Sequence, residues 1–268
     1  MLKKILREVV RFLTPLEIVS TQAMRRYSWG LVALLLILWT FVKLPFIPKF
    51  GDTLSAFGTL WTTRGLFGEI LTSLKLNFYA LGASSCIAFG LGYLSTIPAI
   101  RPIVIFCTKL RFLGFTGLVF LFSLYIGTGF RLKMSLMLFA VTWFYLMAIV
   151  AIVRGVTDDR IEYGYTMRMG RWRTLWEIVI LGTLHETLGV LLQFAGYGWA
   201  ILTAVEGLSR SQGGIGVMIL NSDKYLRIED IFAMALAIFI VGVVIDLCGG
   251  VVIRRKCAYA FIKIGRRA

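Results

Sequence analysis

The stretch LKMSLMLFAVTWFYLMAIVAIV at residues 132–153 decides the fold class. It carries one charge, Lys133 at its edge, and exceeds the roughly 20 apolar residues that cross a hydrocarbon core about 30 Å thick. Backbone amides have no water to bind at that depth, so the segment must be a helix. On either side of it, runs of spanning length or near it fall at 29–44, 70–97, 112–130, 178–205 and 231–253. Six helices are expected, with glycines 114, 117, 127 and 129 blurring the ends of the third.

Composition agrees. The 268 residues are 58% apolar and 16% charged, and the mean hydropathy is +0.82. That is more apolar side chain than a soluble core of this size can hide. The net charge of +15 invites a nucleic-acid reading, but its distribution excludes one. With six spans and a cytoplasmic N-terminus, twenty of the basic residues fall on the cytoplasmic side and eight in the opposite loops, with Lys75 just inside the second span. The positive-inside rule then places both termini in the cytoplasm. Residues 1–28 read as a retained amphipathic helix on that face, 29–253 as the membrane domain and 254–268 as a basic tail. Cys86, Cys107, Cys248 and Cys257 lack CxxC spacing, so no metal site or disulfide framework is expected.

One loop does not resemble a linker. RGVTDDRIEYGYTMRMGRWRTLWE, residues 154–177, mixes charge with aromatic residues. Asp158 and Asp159 suit the first turn of a short helix, where carboxylates meet free amides and the positive dipole end. Ile161, Tyr165 and Met169 follow at i, i+4 and i+8, an apolar ridge that fits a partner's groove. The same residues also suit an interfacial helix, with Arg168, Arg171 and Arg173 toward phosphates and Trp172 and Trp176 in the aromatic belt.

From Glu162 onward, EYGYTMRMGRWRTLWEIVIL resembles the cytoplasmic signature of ABC-importer permeases, which opens with Glu-Ala-Ala and carries Gly six residues after Glu. The C-terminal third is similar to permeases for sulfonates, taurine and nitrate, with Trp199, Glu206, Gly214-Ile215-Gly216 and Asp246 at matching positions. The second span, SLKLNFYALGASSCIAFGLG, resembles the same family. The chain departs from the signature at Tyr163 and Gly164 for the two Ala, Arg168 for the Gly and Leu181 for the Pro. Gly at the third of these lets the chain turn between two short helices, so a turn displaced to Gly164 or Gly170 is expected.

The resemblance implies a type I permease of six membrane helices in the bacterial inner membrane. It would pair with a second permease chain, identical or different, and receive its solute from an extracytoplasmic binding protein. ATP and magnesium would be held by a cytoplasmic ATPase dimer that grips Asp159, Ile161, Glu162, Tyr165, Met167, Arg168, Met169 and Gly170. No catalytic residue or cofactor of its own is expected: the chain lacks GxxxxGK[ST] and GxSxG, and His185 is its single histidine. Small anions such as sulfonates, nitrate or bicarbonate are the preferred solutes.

Lys75, Tyr197, Glu206, Gly214 and Gly216 are the candidate path residues. Lys75 can snorkel outward or attract an anion. Glu206 precedes GLSRSQGGIG, which can form an anion-binding nest or let the chain re-enter between helices. Asp246, near Arg254 and Arg255, reads as an anchoring ion pair or cap. The competing classes are an ion-coupled carrier, for which inverted repeats and paired intramembrane acids would be expected, and a divergent scaffold or half of a heterodimeric permease.

Overall fold

The computed structural model describes residues 21–41, 47–209 and 213–257, and every regular element among them is helical. Two units are distinguished, Met1–Ser55 and Ala56–Ala268. In the first, α1 (Thr21–Phe41) is followed by the start of α2 (Phe50–Thr63). There the indole N–H of Trp39 donates to the Pro48 carbonyl at 3.1 Å, and its ring meets Phe50 edge-on. The expected amphipathic segment 1–28 lies mostly outside the described residues, as does tail 254–268 beyond Cys257.

The second unit contains α3 (Leu66–Leu94), α4 (Arg101–Cys107), α5 (Phe115–Ile126), α6 (Phe130–Arg154), α7 (Asp158–Thr166), α8 (Arg171–Ser209), α9 (Ile215–Lys224) and α10 (Ile228–Lys256). None of the five prolines interrupts α3, α6, α8 or α10, so their backbone ladders run unbroken by proline. α6 packs on α3, α8 and α5; α8 packs in turn on α10, α9 and α3.

Among the described residues four helices, α3, α6, α8 and α10, are long and apolar enough to cross a membrane, where six were expected. The expected span 112–130 is held by α5 alone, which has 12 residues, or about 18 Å at 1.5 Å per residue. Gly114, extended, and Gly127, at φ +83°, bound it on either side. Arg101–Phe112 and Gly117–Ile126, bent by 106° relative to each other, are together long and apolar enough for a fifth crossing, as either a broken span or a re-entrant loop. The expected span 29–44 begins in α1, whose first half carries Arg25, Arg26, Tyr27 and Ser28. The remaining apolar run to Phe41 covers about 20 Å, and residues 42–44 lie outside the described ones.

Two apolar layers hold the bundle. Leu60, Leu66, Leu136, Val141, Leu202 and Met234 are fully buried in one, Ala88, Leu146 and Ile149 in the other. Lipid is as apolar as these side chains, so close packing and polar bonds, rather than water exclusion, select the arrangement. In the second layer, the Tyr93 hydroxyl lies 2.8 Å from Thr183 Oγ1 and 3.1 Å from Thr187 Oγ1. Tyr145 adds a bond to the Thr187 carbonyl at 3.0 Å, so α3, α6 and α8 are tied together at the end nearer α7.

Candidate functional site

At that end, Asp158 and Asp159 occupy the first turn of α7 behind an extended Thr157. Carboxylates there oppose the positive end of the helix dipole. The helix stops in a Schellman arrangement: Arg168 N–H donates to the Tyr165 carbonyl at 2.9 Å, and Met169 N–H reaches back to the Gly164 carbonyl at 3.1 Å. This requires a left-handed residue, and Arg168 supplies it at φ +56°. The turn is not displaced to Gly164 or Gly170 as expected; it stays on the position where the signature has Gly, with an arginine in it.

Gly164 has a different task. It is buried, and a Cβ there would stand 2.6 Å from Ile178 Cδ1 and 3.1 Å from Thr174 Cγ2. α7 therefore rests directly on the start of α8, which passes through a π-helical turn at Leu175–Ile180. The expected ridge is cut by the turn. Ile161 and Tyr165 share a helical face and line a cleft of about 450 Å³ with Ile97, Pro98, Trp172 and Leu175, whereas Met169 lies past the left-handed residue. Tyr163, Tyr165 and Met167 are the large exposed side chains of α7 and its cap, with Asp159, Glu162, Arg168 and Gly170 exposed beside them.

The opposite end of the bundle holds a buried polar cluster. Glu206, 1% exposed near the end of α8, accepts the Ser73 hydroxyl at 2.7 Å and the Gly216 N–H at 2.8 Å. The same Ser73 oxygen accepts the Ile215 N–H at 3.0 Å. Glu69, one turn earlier on α3, accepts the Gly214 N–H. Lys133, 3% exposed on α6, donates to the Gly213 carbonyl at 2.6 Å and lies in the field of both carboxylates. Residues 213–216 are thus bound by three helices through side chains. Gly214 sits at φ +108°, and a Cβ on it would strike the Glu206 carboxylate. On the adjoining edge, Arg64 pairs with Asp230 in the first turn of α10.

Of the candidate path residues, Glu206, Gly214 and Gly216 come together here, while Lys75 and Tyr197 are exposed elsewhere on α3 and α8. Of the amides in this turn, those of Gly214 and Gly216 go to the chain's own carboxylates and that of Ile215 to the Ser73 hydroxyl. Reading the sequence missed Glu69, Ser73 and Lys133. Lys133 offered a signal, since a cation inside an apolar span needs a partner.

No protein-family model matches the chain. It is 25% identical over 232 residues to the taurine transport system permease protein TauC of Escherichia coli strain K12, covering 81% of this chain and 83% of that one. It is 24% identical over 199 residues to the putative ABC transporter permease protein MJ0413 of Methanocaldococcus jannaschii, covering 69% and 70%. Among solved structures, an amino acid ABC transporter determined with histidines superposes with a TM-score of 0.63 at 14% identity. The MetNI methionine ABC transporter in inward-facing conformations gives 0.56 at 15%; in both cases 74% of this chain and 97% of the other are covered. The chain is therefore a multi-pass membrane protein, related in sequence to ABC-transporter permeases and sharing their type I fold.

Proposed function

We propose that this chain is the permease subunit of an ATP-driven importer in a bacterial inner membrane, with both termini cytoplasmic. It pairs with a second permease chain, receives a small anionic solute from an extracytoplasmic binding protein, and leaves ATP and magnesium to a cytoplasmic ATPase dimer. The observation that carries this reading is α7: a short helix with an acidic first turn, seated through Gly164 on the base of α8 and offering Tyr163, Tyr165 and Met167 outward. Force applied to such a helix reaches the span directly, because Ile178 and Thr174 contact it without slack. At the other end, the Glu69, Ser73, Lys133 and Glu206 cluster would make the 213–216 segment follow α3, α6 and α8 as the pathway switches between its two openings. A sulfonate, nitrate or bicarbonate is the preferred solute, and the Escherichia coli relative is named for taurine.

The test is recovery of the tagged chain from native membranes in mild detergent, with mass spectrometry of what accompanies it. An ATPase subunit should copurify with the intact chain and be lost with Tyr165→Asp/Met167→Asp. Absence of any ATPase from the intact preparation would remove the permease reading in favour of a carrier or scaffold.

A further inference from the structure

The cleft beside α7 has a composition that neither the fold nor the coupling role uses. Ile97 and Pro98 from the turn after α3, Ile161 of α7 and Leu175 of α8 give its 450 Å³ an apolar floor. Tyr165, Arg171 and Trp172 line it as well, and no carboxylate does. The hydroxyls of Thr96 and Thr174 are already spent, donating to the Tyr93 carbonyl at 2.8 Å and the Gly170 carbonyl at 3.2 Å. The donors left to the cleft are the Arg171 guanidinium, the Trp172 indole N–H and the Tyr165 hydroxyl, none of them bonded among the described residues. Arg173 differs from Arg171 in this respect. It meets Glu177 at 2.8 Å one turn along the helix, whereas the residues three and four after Arg171 are Thr174 and Leu175, which offer no charge at that spacing.

The cleft lies where the apolar spans end. Leu94 closes α3 two residues before Thr96, and Arg171 opens α8. Trp172 and Trp176, one turn apart on α8, are 75% and 59% exposed, as indoles are at the boundary between hydrocarbon and headgroups. In the orientation proposed above this is the cytoplasmic boundary, whose lipids supply negative charge. An unpaired guanidinium at that level matches the oxygens of a phosphate. A soluble anion has no use for an apolar floor; the glycerol and first methylenes of a lipid do.

We propose that this cleft binds the headgroup of an anionic phospholipid, with the phosphate at Arg171, the Trp172 and Tyr165 donors beside it, and the glycerol region on the apolar floor. Such a lipid joins the turn at 95–100 to α7, which no hydrogen bond does among the described residues, and makes the seat of α7 sensitive to the charge of the bilayer. The site rests on the proposed orientation of the chain and needs no ATPase.

The test places the full chain in phosphatidylcholine nanodiscs that contain a small, equal fraction of a photoactivatable phosphatidylglycerol or phosphatidylcholine, each with a diazirine on the same early methylene of one acyl chain. Adducts are mapped by mass spectrometry. Peptides covering 96–98 and 161–175 should be labelled about fivefold more by the phosphatidylglycerol. Arg171→Gln should bring this ratio close to one and Arg171→Lys should keep most of it. Arg173→Gln should leave it unchanged, which a general attraction of the basic face would not. Ile161→Trp, which fills the cleft with every charge intact, should lower labelling of 96–98 by phosphatidylglycerol to the level given by phosphatidylcholine. The thermal midpoint of each variant in plain phosphatidylcholine discs checks that it is folded. Equal labelling by both lipids overturns the proposal, as does a preference that survives Arg171→Gln or falls as much with Arg173→Gln. So does the absence of cleft adducts, as where protein covers it, and so does displacement of the lipid by soluble glycerol phosphate, which would assign the cleft to a free phosphate. Because no ATPase enters the experiment, failure of the lipid site and failure of the permease reading are seen separately.

Discussion

Ser73 donates its hydroxyl to Glu206 at 2.7 Å while accepting the Ile215 N–H at 3.0 Å, so one side chain of α3 holds both the end of α8 and the start of α9. Its removal leaves a buried amide and one carboxylate oxygen without partners. Ser73→Ala should destabilise the protein by about 1–3 kcal/mol, seen as a lowered thermal midpoint in detergent or nanodiscs. Glu206→Gln, which keeps an acceptor for Gly216, should cost less than Glu206→Ala. An unchanged midpoint for Ser73→Ala would show that the hydroxyl does not hold this end together.

Lys133 and Glu206 act within one cluster and should not be independent. Lys133→Met removes the donor to Gly213 and the cation facing the buried Glu206 and half-buried Glu69 carboxylates. Breaking one side of a buried charged group leaves the other uncompensated. The double variant Lys133→Met/Glu206→Gln should therefore be less damaged than the sum of the single effects, by about 1 kcal/mol or more. Simple additivity in a double-mutant cycle of thermal or chemical stability would refute the coupling.

At the other end of the bundle, Arg168 carries a left-handed backbone that costs a non-glycine residue about 1 kcal/mol or more. Arg168→Gly should slow amide hydrogen exchange at residues 163–169 and raise the stability of the loop by roughly that amount. Arg168→Val, branched at Cβ, should do the reverse. Faster exchange in the glycine variant would mean that the guanidinium, rather than the backbone, secures the turn.

Gly164 is the contact through which α7 rests on α8. A methyl at this position meets Ile178, and overpacking of this kind costs about 1–3 kcal/mol. Gly164→Ala should reduce the recovery of copurifying ATPase several-fold, and Ile178→Val, which removes the Cδ1 atom in the way, should restore much of it. A Gly164→Ala chain that binds and couples normally would show that α7 can lift from α8 without consequence.

The helical membrane class was legible because an apolar run such as 132–153 has one physical solution in lipid. The end points were less so. α5 stops at Ile126, where Gly127 takes a positive φ, and composition alone does not say whether such a glycine bends a helix or ends it. The acidic first turn of α7 was readable from Asp158 and Asp159 because capping is local. The ridge through Met169 failed because helical periodicity assumes the helix continues, and Arg168 gives no sign in its side chain that it will adopt a left-handed turn. The Glu206 cluster depends on pairings such as Ser73 with Glu206, 133 positions apart, which no local spacing encodes. Lys133 was counted with the loop charges and turned out to be buried, since a lysine at the edge of a span reads alike whether it points outward or in.

The most direct test of the coupling role is site-specific photocrosslinking from Met167, 57% exposed on the cap of α7. A benzoylphenylalanine placed there in the full chain, irradiated in native membranes, should form a covalent adduct with an ATPase subunit, identified by mass spectrometry. The yield should change when ATP is replaced by a non-hydrolysable analogue. Adducts formed with lipid alone, in membranes where the photoprobe is incorporated and the chain is folded, would show that α7 lies on the bilayer surface and transmits nothing.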